Sequence, residues 1–566
     1  MRFFTTLLFI ILSLSGRAQV AALPAEVTSS IQKRIDSGTN TSIVVGIINA
    51  DGPRYYSFGK TTEGGSPVNE HSIYEIGSIS KTFTATLLAD MVRKGEMSLD
   101  DPIEKYLPTS VHVPMYGGKH ITLGNLSDHT SSLPRMPNNF APADPMNPYA
   151  DYTVDQLYAF LSSYELQRPI GSEYEYSNLA VGLLGHILSL KAGKSYEDLM
   201  VSMIAGPLQM NETRITFTDE MKKNLAIGHA MGVEVPNWDL PTLAGAGAIR
   251  SSVSDMLKYL SAQMGSHPGA LYEDMELTHQ ARHDKANGNS VGLGWHMTQG
   301  VHELIWHNGA TGGYMTFVGF DNATKTGVAV FTNSSESVDD IGFHLLDPAR
   351  ELKTIKPKIT TRLKEIIETK GPSKLDKEFK ALKAKNTGQY AIDENDINTL
   401  GYYYMNGNAL DAAMALFKIN MMEFPASFNV YDSYGEVLMK KGKTKEAIKN
   451  YQKSMELNPG NENGIEMLAK MGVTYKKVEF KVAENILQTY VGTYQLAPNF
   501  NIVITRDGTQ LFGQATGQSQ FELFPKSETE YFLKVAVASV IFTKDKDGKM
   551  GLTLYQNGAV LPGKRI

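Results

Sequence analysis

Two strand-rich stretches lie far apart in the chain, and together they limit its fold more than any other feature. Near the start the sequence reads TSIVVGIINADGPRYYSFG, two apolar runs around an Asp51-Gly52 turn. From Glu303 it reads ELIWHNGATGGYMTFVGFDNATKTGVAVFTNS, which is strand, turn, strand, turn, strand. Between them run helical patterns broken by Pro and Gly. Strands at both ends with helices between predict one antiparallel sheet, built from both ends of roughly residues 19–360, with a helical body packed against it: an α+β fold. Just ahead of the first strand, SSIQKRIDSG suits a short amphipathic helix.

The chain has 566 residues, more than one core usually serves, and its pattern changes along its length. Residues 361–387 are lysine-rich and helical, as in a connector. Within 388–470, Ala413, Phe417 and Pro425 recur 34 residues later as Ala447, Tyr451 and Pro459, and Gly401 recurs as Gly435. That period and spacing resemble the tetratricopeptide repeat (TPR), in which small residues let paired helices approach and an aromatic fills the gap. It names an α-helical packing unit, and through it a possible protein partner. Residues 480–566 switch to short strands around Asp507-Gly508 and Asp547-Gly548 turns. A small antiparallel barrel or curled sheet is expected, its aromatics serving as core filling or as the lining of a ligand cavity.

Composition removes several function classes. The net charge is −6 with no long basic run, which argues against a nucleic-acid partner. Cysteine is absent, so disulfides, a thiol nucleophile, thiolate metal sites and a lipid-anchored cysteine are all excluded. The opening MRFFTTLLFIILSLSGRAQ has a basic start, an apolar run and small residues before position 19. It reads as a signal peptide over residues 1–18, and no later segment is apolar and long enough to span a bilayer. A periplasmic or secreted protein without disulfides is the expectation. Histidines are scattered and none has ligand spacing with a carboxylate, so neither a metal nor another cofactor is expected.

The chemistry concentrates in three short motifs. In EIGSISKTFTATLL, Ser78 and Lys81 stand three apart at the start of an apolar helix, on one face. A helix N-terminus offers free N–H groups and a field that favours an oxyanion, and a buried lysine gives up its proton more readily. These are conditions for a serine nucleophile. Ser30 and Lys33 share the spacing but lie on the first amphipathic helix, which marks them as surface residues. In YEYSNLAVGLLGHIL, Tyr176 and Asn178 sit at a loop-to-helix junction, whereas the similar Tyr404 and Asn406 lie in the repeat region. A phenol there can relay a proton. The amide can hold a substrate carbonyl or the lysine. In WHNGATGGYMTFVGF, His307 and Gly309 open a strand; Gly309 leaves room for extended substrate, and the Ala310 N–H is free to face an oxyanion.

In this order, the three motifs resemble the serine β-lactamase and penicillin-binding-protein superfamily, in its class C-like branch of esterases, D-aminopeptidases and D-alanyl-D-alanine carboxypeptidases. MSLDDPIEKYLP, ITLGNLSDHTSSLP, AGAGAIRSSVSDMLKYL and VGLGWHM add to the resemblance, which spans about residues 25–350. The tail is similar to a β domain appended to such hydrolases. The resemblance implies a β-lactamase/transpeptidase-like domain in which Ser78, Lys81, Tyr176 and His307 are catalytic. The N–H groups of Ser78 and Ala310 would form the oxyanion hole, with Asn178 and Gly309 at the substrate. Whether Lys81 or Tyr176 is the base stays open. The implied activity is hydrolysis of an ester or amide through an acyl-enzyme, on a small-molecule or short-peptide substrate. Alternatives are a true β-lactamase or carboxypeptidase, or a non-catalytic periplasmic scaffold binding peptidoglycan fragments or protein. Two positions depart from the family pattern. His307-Asn308-Gly309 replaces the Lys-Thr-Gly of true β-lactamases, which shifts the expected substrates toward short-chain esters and D-amino-acid amides. Ser132 stands where relatives have Gly after His-Thr-Ser. His129 is either a minor site residue or a satisfied loop histidine.

Overall fold

The computed structural model describes residues 22–566, apart from 231, 286–287, 386–387, 475–479, 498–499, 517, 519, 534–537 and 557–558. The expected signal peptide lies outside the described residues. The chain divides into two compact units, residues 1–229 with 234–355, and residues 230–233 with 356–566.

The sheet of the first unit is assembled from both ends of its sequence. Strands β1 (Ser42–Asn49) and β2 (Gly52–Gly59) form the expected hairpin, and Gly52 takes the left-handed φ of 96° that its turn needs. Far along the chain come β3 (His283–Lys285), β4 (Asn289–Val291), β5 (His296–Gln299), β6 (Glu303–Ala310), β7 (Met315–Asp321) and β8 (Thr326–Thr332). The order is β2-β1-β8-β7-β6-β5-β4-β3, with antiparallel neighbours throughout. The ladder between β1 and β8, Ile43 to Thr332 through Ile48 to Gly327, is where the two ends of the unit meet. Strands β3 to β5 were not expected; three or four residues are too few to show an alternating pattern.

Alternation along β1 decides which layer each residue joins. Ile43 and Val45 point into a core with Val27 and Ile31 of helix α1 (Ala25–Asp36) and with Ile341. Val44 points the other way, into the main core with Phe83, Val253 and Leu257. On that second face Gly46 is required, because a β-carbon there would come within 2.5 Å of Val253. Helix α2 (Ser80–Arg93) runs through this main core and is buried along nearly its whole length. Its position directly behind the sheet is what brings Ser78 and Lys81 to the end of β6.

In the second unit, helices occupy the stretch from Ile359 to Lys470. The segment read as a helical connector is helical and contributes apolar residues to a core. Ile359, Leu363 and Ile366 of one amphipathic helix and Phe379 of the next pack with Val233, Ile397 and Leu416. Gly401 meets the ring of Phe417, and 34 residues later Gly435 meets that of Tyr451; an added β-carbon would lie 2.4 and 3.0 Å from those rings. Strands from Gly492 to Arg565 then close an eight-stranded antiparallel barrel. Its aromatics fill the core: Tyr490 stacks on Phe542 at 4.2 Å, and Tyr494 and Tyr531 are buried with it.

Candidate active site

Ser78 occupies a single 3₁₀ turn, Gly77–Ile79, that leads directly into α2. The turn is held from both sides. The Ile76 N–H donates to the Ile249 carbonyl, and the Thr316 hydroxyl of β7 donates to the Ile76 carbonyl at 3.1 Å. Gly77 has a left-handed φ of 50°, and a β-carbon on it would lie 2.8 Å from the Ala310 nitrogen. The turn and the end of β6 are therefore in direct backbone contact.

The Ala310 N–H is left out of the β6–β7 ladder. Thr311 N–H donates to the Tyr314 carbonyl, so antiparallel alternation puts Gly309 and Thr316 in the hydrogen-bonded pairing and turns Ala310 to the other edge of β6. On that edge the pairing with β5 stops at Trp306. Gly309 serves differently from expectation. The space it leaves is filled by the protein itself, since a β-carbon would lie 1.9 Å from the Ile76 carbonyl oxygen.

Lys81 is fully buried. Its Nζ lies 2.9 Å from Ser78 Oγ, 2.9 Å from Asn178 Oδ1 and 2.8 Å from the Ala246 carbonyl. Burial, reinforced by the charge of Arg135, holds its pKa well below that of an ordinary lysine. Asn178 begins helix α3 (Asn178–Ala192), which Ser177 caps by accepting from the Ala180 N–H. Capping fixes the Asn178 side chain, whose amide also donates to the Tyr149 hydroxyl at 3.3 Å. The Ala246 carbonyl is within reach because its neighbours are small: Gly245 touches Gly185 of α3.

Tyr176 lies just before this cap, with its ring centre 4.8 Å from Lys81 Nζ. Burial pushes its hydroxyl up to about 12, while interaction with Ser78 and Arg135 pulls the other way. His307 on β6 is buried, and its Nδ1 is 2.6 Å from the Asn308 carbonyl, which places the proton on Nδ1 and leaves Nε2 as a bare acceptor. Burial and the Lys81 charge take its pKa down to about 3. It is a neutral imidazole at pH 7.

Two histidines complete the surroundings. His129 Nδ1 accepts from the Ser177 N–H at 3.0 Å, and its ring stacks on Tyr176 at 4.6 Å. His296 on β5 stacks on His307 at 4.8 Å. His129 is thus satisfied at Nδ1 but not at its buried Nε2, so the reading of a satisfied loop histidine holds for one nitrogen only, and its ring is the platform beneath the phenol. His296 had no sequence signal beyond its place in VGLGWHM. Glu75 and Arg250 were also missed. They form a buried pair at 3.3 Å, and Glu75 accepts from the Trp238 N–H, anchoring that loop beside Tyr149. Ser132 adopts a left-handed φ of 62°, the conformation in which glycine costs nothing. Ser30 and Lys33 lie on α1, and Tyr404 belongs to the second unit. Among the described residues no cluster of His, Asp or Glu is arranged to hold a metal ion.

Residues 27–346 match the family model described as Beta-lactamase, and residues 476–559 match one described as a domain of unknown function, DUF3471. The D-alanyl-D-alanine-carboxypeptidase/endopeptidase AmpH of Escherichia coli (strain K12) is 28% identical over 326 residues, covering 53% of this chain and 84% of that protein. A beta-lactamase of Pseudomonas fluorescens is 26% identical over 351 residues, covering 55% and 93%. A class C beta lactamase from Rhodobacter sphaeroides superposes with a TM-score of 0.49 at 23% identity, covering 55% of this chain and 94% of that one.

Proposed function

This chain belongs to the beta-lactamase family, and on that premise we propose that it is an exported serine hydrolase that cleaves an ester or amide through an acyl-enzyme on Ser78. The observation that carries the reading is the set of partners around Lys81 Nζ. A neutral amine has two N–H donors and one lone pair. As an ammonium, Nζ donates to Ser78 Oγ, Asn178 Oδ1 and the Ala246 carbonyl; once neutral, it keeps its two N–H donors on the pure acceptors, Asn178 Oδ1 and the Ala246 carbonyl, and its lone pair turns to the Ser78 hydroxyl. Burial favours that neutral form. Lys81 is therefore the general base, and Tyr176, protonated far above pH 7, is the acid that serves the leaving group.

In this mechanism Ser78 Oγ attacks the carbonyl carbon as its proton passes to Lys81. The N–H groups of Ser78 and Ala310 receive the oxyanion, each worth about 3 kcal/mol in comparable sites. Collapse expels the leaving group with a proton relayed through Tyr176, and water then releases the acyl group. Asn178 orients Lys81 and the substrate carbonyl. Neutral His307 supports the phenol from the strand side. The substrate class follows from the relatives and from His307: short-chain esters and D-amino-acid peptides or amides first, with β-lactams and D-alanyl-D-alanine peptides as the second reading. Purified protein assayed against these groups by kcat/KM tests the order. Cephalosporin turnover near the diffusional range, about 10⁸ M⁻¹s⁻¹, would reverse it. The 34-residue repeat is assigned as two TPR-like units offering a surface to a protein partner, supported by the matching Gly401–Phe417 and Gly435–Tyr451 contacts.

A further inference from the structure

The site is electropositive in a chain whose net charge is −6. Apart from Lys81, the cationic side chains acting on Lys81, Tyr176 and His307 are Arg135 and Lys285, with no Asp or Glu contributing. Carboxylates next in sequence to site residues are engaged elsewhere: Glu175 with Arg168, Asp128 with Arg282, Asp239 with Arg250.

The two peripheral cations differ. Lys285 is half-buried, lies 4.3 Å over the Tyr174 ring and reaches His296 Nδ1 at 3.4 Å. Arg135 is exposed, and among the described residues its guanidinium has no hydrogen-bond or ion-pair partner. It is nevertheless held in place. Its carbonyl accepts the N–H groups of Asn178 and Leu179, which ties its backbone to the start of α3, and its Cζ stands 5.2 Å from the Tyr176 ring centre. A guanidinium over a phenol keeps its in-plane donors free for a planar, doubly accepting anion.

We propose that Arg135 is a specificity-determining residue that binds a carboxylate on the substrate's leaving-group side, beside Tyr176. Between otherwise identical substrates, the one whose leaving group ends in a free carboxylate is then preferred over its neutral counterpart. This rests on the acyl-enzyme reading of Ser78. Because Arg135 is solvent-exposed, its contribution falls as salt rises.

The test compares a depsipeptide whose leaving group is a 2-hydroxy acid with the methyl ester of that same acid. In the wild type kcat/KM should favour the free acid by roughly tenfold or more, the size of one charge-assisted contact. In Arg135→Ala the ratio should fall toward one, chiefly through KM for the acid, and Arg135→Lys should retain part of it. Each variant is also labelled at Ser78 with a neutral fluorophosphonate and checked for an unaltered thermal transition. If folded, labelled Arg135→Ala keeps the wild-type ratio within threefold, or if the wild type shows no preference, the Arg135 assignment is wrong while the serine reading stands. If neither ester turns over, the same ratio is read from the rate at which Ser78 is acylated by a carboxylate-bearing β-lactam and by its methyl ester. Absence of any labelling of Ser78 in the wild type overturns both.

Discussion

Gly309→Ala adds one methyl group where the strand of the site meets the turn of the nucleophile. The new β-carbon would lie 1.9 Å from the Ile76 carbonyl oxygen and 2.6 Å from Thr316 Oγ1. Carbon–oxygen contacts settle at roughly 3.3 Å, so about 1.4 Å of separation has to be found. Ile76 cannot simply yield, because its N–H is bound to Ile249 and its carbonyl to Thr316. β6 must therefore move away from the turn carrying Ser78, taking the Ala310 N–H with it. Overpacking of this kind costs about 3 kcal/mol, or roughly 6 °C in the transition of the first unit. A displacement near 1 Å in an oxyanion donor costs about 10²-fold in kcat. Gly247→Ala is the matched control. It lies in the same neighbourhood, but its added carbon meets only ordinary contacts, 3.4 Å to Leu240 and 3.7 Å to Gly77. Thermal denaturation and steady-state kinetics on a short-chain ester read both variants. If Gly309→Ala melts and turns over like Gly247→Ala, the contact between β6 and the nucleophile turn does not position the site.

Tyr176→Phe removes only the hydroxyl, and kcat should fall about 10²-fold or more with the fold retained, while Tyr404→Phe should change little. The rate should rise with pH through the depressed pKa of Lys81, so the ascending limb of kcat/KM belongs well below the ordinary lysine value of about 10.4; a limb at that value removes Lys81 as the base. Buried neutral histidines set the acid limit of the fold. His307 binds no proton until about pH 3, whereas an unfolded histidine does so near 6.5, so the unfolded state holds more protons in that window. Stability should be fully present above pH 6.5 and decline as pH falls toward 3, with a smaller decline in His307→Asn, measured by denaturant midpoints. A chain ending at Ile355 should fold and label at Ser78, since the sheet, α2 and α3 all lie in the first unit; loss of labelling in a folded fragment would mean the second unit completes the site.

Most of the residues that were legible in sequence sit where one element gives way to another. Ser78 and Lys81 open a helix, Tyr176 and Asn178 straddle a cap, and His307 lies on a strand whose partners follow directly. Local pattern places such residues because each junction has its own signal, an apolar run beginning or a turn ending. What was not legible depends on partners distant in sequence. Glu75 pairs with Arg250, and His129 carries Tyr176 through a stacking contact that no periodicity encodes. Gly309 was read as room for substrate because nothing nearby in sequence reveals that the Ile76 carbonyl fills that room. The short strands β3 to β5 escaped for want of length, and the helices after Ile359 joined a core because their apolar residues found Val233, a residue of the preceding sequence.

The central claim is that Ser78 becomes acylated with Lys81 as its base. Intact-mass measurement and peptide mapping after incubation with a fluorophosphonate or a penicillin test it most directly. The account predicts one adduct per chain, on the peptide containing Ser78, abolished by Ser78→Ala and untouched by Ser30→Ala. An adduct at Ser30, or full ester turnover in folded Ser78→Ala, contradicts it.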